Sequence, residues 1–212
     1  MSVAIGQKTM SFHYLQTIPD AAFNDNLHHN PSGLSVEHLL SPFKNKNVQI
    51  GAAVSVSMYQ NENHEGIVQL NDKSNAYVST NEDDCFYTYQ AVFRYNFLAP
   101  NNIIRPYVQG QFGGATFFST LTMNEGYEDV MDNKTTNHGT TWIGGWGGGI
   151  AVKICESLYL DTNLLYNYAG STNYRNSPDS NAAAQYRVDL RNYQQSSKVN
   201  HFAFRLGMNI VF

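Results

Sequence analysis

The chain has 212 residues, which suits a single domain, and its formal net charge is only −4. Charged residues make up 14% of the sequence, so no nucleic-acid partner is indicated. Two cysteines, Cys85 and Cys155, are too few for a disulfide framework, and no run approaches the 18 apolar residues of a transmembrane helix.

The first seven residues, MSVAIGQ, resemble the end of a signal peptide, with the small residues Ala4 and Gly6 before a cleavage point near Gln7. The basic start and most of the apolar core of a complete signal are missing. We therefore interpret residues 1–7 as a signal-peptide remnant, with an ordinary N-terminal segment as the alternative. Residues 8–212 are assigned to one domain.

Eight segments alternate between large apolar side chains and polar or small ones, which is the period of a β-strand. In chain order they are TMSFHYLQTI (9–18), GLSVEHLL (33–40), VQIGAAVSVSMY (48–59), CFYTYQAVFRYNF (85–97), IRPYVQGQFGGA (104–115), TWIGGWGGGIAVK (141–153), LYLDTNLLYNY (158–168) and VNHFAFRLGMNIVF (199–212). No stretch shows a convincing helical period. A transmembrane strand needs only about 9–11 residues, so a membrane protein remains compatible with this sequence.

The connections between these segments alternate in length. The long ones are 19–32, 60–84, 119–138 and 169–198, and the short ones are 41–47, 98–103 and 154–157. Outer-membrane barrels have this asymmetry, with short periplasmic turns and longer extracellular loops. The sequence therefore predicts an all-β fold: an eight-stranded, antiparallel, up-and-down transmembrane β-barrel.

The polar face of the predicted strands carries six charged side chains: Glu37, Arg94, Arg105, Lys153, Asp161 and Arg205. On a solvated face we would expect dense Lys and Glu, but the neighbours here are mostly Gly, Ala, Ser, Gln and Asn. This composition predicts a packed interior with the apolar face toward lipid. Because buried charges need partners, we expect a charge network in the lumen. A narrow, anion-preferring pore is the alternative, although eight strands leave an interior that side chains just fill.

Aromatic residues lie near the ends of the predicted strands, where they would form the two girdles of a membrane protein. They are Tyr14, Tyr59, Tyr87, Phe97, Trp142, Tyr166, Tyr168 and Phe212.

Over residues 8–212 the sequence resembles the small outer-membrane β-barrel family of the OmpX and OmpA type. The most specific element is the terminal FRLGMNIVF, and RPYVQGQFGG (105–114) is similar to a strand start in these barrels. In the family, alternating apolar residues before a final Phe are the signal that the barrel-insertion machinery recognises. The residues that match it here are Phe204, Leu206, Met208, Ile210 and Phe212. The resemblance implies an integral protein of a Gram-negative outer membrane, in contact with lipid and lipopolysaccharide.

Other patterns do not support a cofactor or a metal. WIGGWGGGI (142–150) lacks the G-x-G-x-x-G spacing and the following helix of a nucleotide-binding loop, so its glycines indicate strand curvature. The long connections hold 14 of the 17 acidic residues, with NEDD (81–84) as the densest run, but no EF-hand spacing appears. A solvated surface is favoured there over a site that binds divalent ions or bridges lipopolysaccharide. The adjacent His28 and His29 do not by themselves predict a metal site.

No catalytic constellation is evident either. His201 has no hydroxyl two positions on, as a barrel lipid deacylase would, and Asp83, Asp84 and His138 only loosely imitate a barrel protease. We predict no catalytic residues and no cofactor.

The predicted function is that of a non-enzymatic barrel, structural or surface-binding, whose loops are rich in Asn, Tyr, Ser and Asp. Its loops or its barrel wall would contact other envelope proteins, including as an accessory subunit of a larger complex. The alternatives are a narrow transport pore, an outer-membrane lipid-modifying enzyme or protease, and a soluble lipocalin-like carrier.

Overall fold

The computed structural model describes residues 7–20, 23, 27, 30–42, 47–69, 75–100, 102–125, 129–175 and 194–212. Ten β-strands are found there: β1 (Lys8–Pro19), β2 (Ser32–Leu40), β3 (Val48–Gln69), β4 (Asn75–Asn96), β5 (Ile104–Glu125), β6 (Asp129–Cys155), β7 (Leu158–Ala169), β8 (Ser171–Arg175), β9 (Gln194–Lys198) and β10 (His201–Val211). Within these ranges, no helix has the length and apolar character needed to cross a membrane. The signal-peptide interpretation stays a prediction, because residues 1–6 lie outside them.

Eight of the strands form a closed barrel in the order β1-β10-β7-β6-β5-β4-β3-β2, and every neighbouring pair is antiparallel. The barrel closes between the first and last strands, whose ladder runs from Thr9↔Val211 to Pro19↔His201. Closure leaves no edge strand with unpaired backbone groups, which is the condition for a sheet to lie in hydrocarbon. The predicted eight-stranded up-and-down transmembrane barrel is confirmed.

The alternation of the sequence becomes an inside and an outside. Each barrel strand places an apolar side chain on the exposed outer surface: Phe12, Leu34, Val54, Phe93, Val108, Ile150, Leu164 and Phe204. Each also buries a polar side chain in the lumen: His13, Glu37, Gln49, Arg94, Gln109, Thr141, Asp161 and Arg205. This is the reverse of a soluble carrier, whose apolar face would line the interior. We call the exposed apolar surface the lipid belt.

The strands β3 to β6 are about twice as long as a membrane crossing requires. β3, β4 and β5 have 22 residues each and β6 has 27, whereas about 9–11 residues suffice for a transmembrane strand. The other barrel strands have 9 to 12 residues. Four strands therefore continue beyond the lipid belt at the end opposite the chain termini, and we call their continuation the outer sheet.

The outer sheet corrects two predictions. The sequence predicts loops at connections 60–84 and 119–138, but the β3–β4 ladder continues from Gln60↔Asp84 to Gln69↔Asn75 and the β5–β6 ladder also continues. The sequence does not predict these continuations of the strands, because the apolar alternation that marks a transmembrane strand arises where one face meets lipid. Residues 60–84 and 119–138 are mostly polar and lack this alternation.

Irregularities in register mark the base of the outer sheet. The β3–β4 register shifts between Met58 and Gln60, and the β5–β6 register shifts between Phe117 and Phe118. β-Bulges bend and twist a strand and are frequent at barrel rims. Both shifts lie where the strands leave the lipid belt.

Of the other two long connections, 19–32 joins β1 to β2, and 169–198 contains the small β8–β9 sheet, while residues 176–193 lie outside the described ranges. The short connections follow β2, β4 and β6, as predicted. Cys85 and Cys155 are both free. They lie on opposite sides of the lipid belt.

Candidate functional site in the barrel lumen

The centre of the lumen is a closed triangle of buried side chains from three strands. Arg94 on β4 donates from Nη2 to Glu37 Oε1 on β2 at 2.5 Å and from Nε to Gln109 Oε1 on β5 at 2.9 Å. Gln109 in turn donates to Glu37 Oε2 at 2.9 Å. All three groups are buried, so each hydrogen bond replaces one that water would otherwise make.

A second cluster surrounds Asp161 on β7. Its carboxylate accepts hydrogen bonds from His13 Nε2 at 2.8 Å and from the Tyr107 hydroxyl at 2.9 Å. Asn163 donates to the same hydroxyl at 3.0 Å. The guanidinium of Arg94 lies over the Tyr107 ring, 4.0 Å from its centroid, so the two clusters are in contact.

Arg205 links this centre to the outer end of the lumen. Its Nη1 lies 3.9 Å from Glu37 Oε2, and its Nη2 donates to Gln111 at 3.4 Å. Gln111 donates to Asn167 at 2.8 Å, and Asn167 lies 3.0 Å from His201 Nε2. The side chains of Gln111 and Asn167 are amides, which do not relay protons. The series therefore holds the side chains of β5, β7 and β10 in place relative to one another.

The structure therefore brings together four of the six predicted charged residues: Glu37, Arg94, Asp161 and Arg205. Arg105 is also buried, but it lies near the ring of Tyr159, with 5.7 Å from its guanidinium carbon to the ring centroid. Lys153 is half-buried at the periplasmic end, and no hydrogen bond or ion pair of its side chain is found in the described part of the chain. These two cations are separate from the central network.

Sequence reasoning missed the neutral members of the network. Tyr107, Gln109 and Gln111 lie on the face of β5 that is predicted to be interior, and His13 lies on the corresponding face of β1. The prediction nevertheless names only charged residues. The parity alone would have identified them. The strand face of a residue does not show which side chain it meets across the lumen, because partners such as Glu37 and Arg94 are 57 positions apart in the sequence.

Above the polar network, the outer end of the lumen is filled by aromatic rings. Phe86 and Phe117 are stacked with centroids 5.2 Å apart, and Tyr59 lies 6.2 Å from Phe117. Phe23, from the connection after β1, is fully buried and meets Phe117 edge to face at 6.5 Å. We call these four rings the outer plug. The assignment of Tyr59 to an external girdle was wrong, because Tyr59 lies on the same face of β3 as the buried Ser55 and Ser57 and its ring therefore lies inside the barrel.

The other predicted girdle residues face outward. Tyr14, Tyr87, Phe97, Trp142, Tyr168 and Phe212 are exposed, and Tyr166 is partly exposed. Tyr166 donates from its hydroxyl to Asp20 at 2.7 Å, next to the Tyr168 and Phe202 rings. An aromatic ring in the apolar layer with a satisfied hydroxyl at its border is typical of a membrane interface.

The C-terminal strand presents its predicted signal on the outer surface. Phe204, Leu206, Met208 and Phe212 are exposed and Ile210 is partly exposed, whereas Arg205 between them is buried. The last residue is held by reciprocal backbone hydrogen bonds with Lys8 at 2.9 and 3.2 Å. The sequence signal is thus also the strand that closes the barrel.

The lumen has no arrangement suited to catalysis in the described residues. His13 and Asp161 resemble an acid–base pair, but both side chains are fully buried and no hydroxyl or thiol is hydrogen-bonded to His13. No group of three potential metal ligands is found in the described residues, and His28, His29 and the side chain of His138 lie outside them. The polar network and the outer plug instead close the lumen.

These features define a transmembrane β-barrel with a filled lumen, the fold of the small outer-membrane barrels. Among solved structures, neisserial surface protein A is similar at a TM-score of 0.54, with 11% identity over 97% of each chain. Ail, the attachment invasion locus protein of Yersinia pestis, in complex with the heparin analogue sucrose octasulfate, has a TM-score of 0.53, with 14% identity over 98% of this chain and 99% of that one. A major outer membrane protein from Thermus thermophilus has a TM-score of 0.53, with 13% identity over 97% of this chain and 99% of that one.

At these identities the likeness establishes the fold alone. No family model and no curated protein matches the chain.

Proposed function

We propose that this chain is a non-enzymatic, integral barrel of a Gram-negative outer membrane that uses its outer sheet to bind other molecules. The observation that carries the proposal is the length of β3 to β6. Four adjacent strands continue as a hydrogen-bonded sheet well beyond the lipid belt, although the barrel is already closed below them. Ordering about ten extra residues per strand has an entropic cost, and a membrane anchor does not require it.

The charge of the outer sheet favours a class of partner. Residues 60–84 and 119–138 contain ten Asp and Glu but only two Lys, a net charge of −8. A surface of this sign attracts cationic partners and repels polyanions. Divalent cations would allow the same surface to contact the phosphates of lipopolysaccharide. Binding to another envelope protein, including as an accessory subunit, would require a basic patch on that protein.

One solved relative in fold provides a contrast. Ail is known in complex with a sulfated sugar analogue, whereas the negative outer sheet here should repel such a ligand. We expect isothermal titration calorimetry with sucrose octasulfate in low salt to give no saturable heat of binding. Saturable binding would show that charge does not select the partner of this chain.

The decisive experiment shortens the outer sheet and leaves the barrel intact. Replacing residues 61–83 by an Asn-Gly turn between Gln60 and Asp84 keeps the plug and the lipid belt, and Asn-Gly suits a two-residue hairpin. A matched variant replaces only residues 70–74 at the tip. We expect both to migrate faster before boiling than after it, as a folded barrel does, but only the first to lose its partner in pull-downs from native membranes.

Retention of the partner by the 61–83 replacement would contradict the proposal and direct attention to the barrel wall. If neither the unaltered chain nor the tip variant captures a partner, a purely structural role would replace the proposed one. Cells that lack the protein should then show no loss of surface binding.

The closed lumen opposes the alternative of a transport pore. The outer plug and the Glu37–Arg94 pair occupy successive levels of the same passage. We expect no resolved conductance steps in a planar bilayer, and regular unitary steps would contradict this. Mass spectrometry of lipid A from cells with and without the protein tests the lipid-modifying alternative, and we expect identical spectra.

The proposed outer-membrane location is supported by the lipid belt and by the exposed C-terminal signal. We propose that the insertion machinery binds the outward face of β10. Phe212→Ala should reduce assembly in the outer membrane, whereas Val211→Ala, on the opposite parity of the same strand, should have little effect. Equal assembly of Phe212→Ala and the unaltered chain would exclude this role for the final residue.

A further inference from the structure

Arg105 is a buried cation without a counter-charge at the periplasmic end of the lumen. Its side chain is buried on the inner face of β5, yet its Nε and Nη2 atoms have no hydrogen-bond partner. In the described part of the chain, no carboxylate forms an ion pair with it. Arg94, by contrast, is paired with Glu37 at 2.5 Å. Burying a charge is costly unless a partner compensates it, so this position is unusual within the same lumen.

A second cation lies on the neighbouring strand. Arg105 pairs in register with Ala151, so Lys153 is its diagonal neighbour on β6, on the same inner face and one step closer to the periplasm. Diagonal neighbours lie about 7–8 Å apart, which long side chains easily span. The Lys153 side chain is half-buried and forms no ion pair with any described residue. Two unpaired cations therefore share one corner of the lumen.

Tyr159 and the β4–β5 connection lie next to Arg105 at this end of the lumen. Tyr159 on β7 pairs directly with Lys153 and lies beside the Arg105 guanidinium. The Tyr159 hydroxyl donates to the carbonyl of Pro100 at 3.0 Å, which ties the β4–β5 connection across this corner. The corner thus combines an aromatic ring, one short turn and the half-buried Lys153.

We propose that Arg105 and Lys153 bind a small oxyanion group, a phosphate or a carboxylate, at the periplasmic end of the barrel. The unused Nε and Nη2 atoms of Arg105 lie on one edge of the guanidinium fork, and this edge matches two oxygens of a phosphate or carboxylate. Lys153 supplies the second positive charge as a rotatable donor. The site lies at the end of the barrel opposite the outer sheet, so it is independent of the proposed surface-binding function.

The test uses the folded chain in nanodiscs of phosphatidylcholine, at constant ionic strength. Backbone amide resonances of Lys153 and Tyr159 report the site by NMR while inorganic phosphate or acetate replaces chloride. We expect saturable shifts confined to the periplasmic ends of β5, β6 and β7. Nanodiscs containing phosphatidylglycerol distinguish a lipid headgroup from a free anion, because a bound headgroup would cause the shifts before any phosphate is added.

The variants separate the site from general charge effects. Arg105→Gln removes charge-assisted hydrogen bonds that are worth about 1.5–3 kcal/mol. We therefore expect it to lower phosphate affinity by about tenfold or more. Lys153→Gln, on a half-buried side chain, should lower it several-fold without affecting folding. Lys8→Gln is the matched control, since Lys8 is at the same end of the barrel but on its exposed outer face.

Should Arg105→Gln fail to fold, Arg105→Lys keeps the charge but removes the fork, and its affinity should still fall. The absence of saturable shifts in the unaltered chain would overturn the proposal. Equal effects of Lys153→Gln and Lys8→Gln would overturn it as well, because they would reduce the binding to surface electrostatics.

Discussion

Glu37→Gln tests the central network, because it removes one charge while keeping the shape of the side chain. The carbonyl oxygen of Gln can still accept the hydrogen bond from Arg94, but its amide nitrogen cannot accept the one from Gln109. What it loses is the negative charge that lies 2.5 Å from Arg94 and 3.9 Å from Arg205. Asp161 then remains as the partner of two buried guanidinium groups, with its nearest contact to Arg94 at 3.9 Å.

The expected loss of stability follows from these distances. Two unit charges about 4 Å apart attract each other by about 4 kcal/mol at an effective dielectric constant of about 20. Leaving one member of a buried pair unpaired typically costs about 3–5 kcal/mol. Because Gln keeps the hydrogen bond from Arg94, which offsets part of this cost, we expect Glu37→Gln to lower the free energy of unfolding by about 3 kcal/mol.

The double variant Glu37→Gln with Arg94→Gln restores the charge balance of the lumen. It should therefore be destabilised by clearly less than the sum of the two single variants, with a coupling energy of about 2 kcal/mol. Reversible urea unfolding in lipid vesicles, followed by tryptophan emission, measures all three. Glu156→Gln, in the exposed β6–β7 turn, is the control and should change stability by less than about 0.5 kcal/mol.

Strict additivity of the single variants, or a Glu37→Gln effect as small as that of Glu156→Gln, would refute the network as a source of stability. The charges would then be solvated individually within the lumen.

Three further predictions concern the wall and the outer plug. Phe117→Ala, which removes a fully buried ring from the outer plug, should cost about 3–5 kcal/mol in urea unfolding, and a loss below about 1 kcal/mol would show that the plug is loosely packed. Leu206→Arg, midway along the lipid face of β10, should cost about 2–4 kcal/mol, and Phe212→Arg, at the strand end, only about 0–1; similar values would contradict the placement of the belt. Gly147→Ala should reduce the fraction that refolds, because its Cβ would collide with the Leu164 carbonyl oxygen, whereas Gly110→Ala, with no such atom nearer than 4.0 Å, should refold normally.

The lipid-exposed part of this fold is predictable from the sequence because a strand in a bilayer has one apolar and one polar face. The positions of Phe204 and Leu206 outside and Arg94 and Arg205 inside follow from parity alone. The same pattern is missing beyond the lipid belt, where the sequence of β3 to β6 is mostly polar and the alternation disappears. The sequence therefore predicts loops where the outer sheet lies.

The charge network was partly predictable. Parity identifies which charged residues enter the lumen, but the depth of each depends on strand stagger, which the sequence does not state. Glu37 and Arg94 are thus brought together, whereas Arg105 and Lys153 lie at the periplasmic end. The outer plug escapes prediction because Phe86 and Phe117 are apolar residues on the polar face, where the general pattern predicts hydrophilic side chains.

We conclude that the apolar face of each strand contacts lipid, and the two tryptophans test this most directly. Trp142 and Trp146 are both on the outer face of β6, with 54% and 68% of their surfaces exposed. In vesicles of lipids brominated along the acyl chains, we expect blue-shifted emission that is strongly quenched relative to ordinary lipid and resists aqueous iodide. Emission that is quenched by iodide and unaffected by the brominated chains would show that this face of the strands meets water instead of lipid.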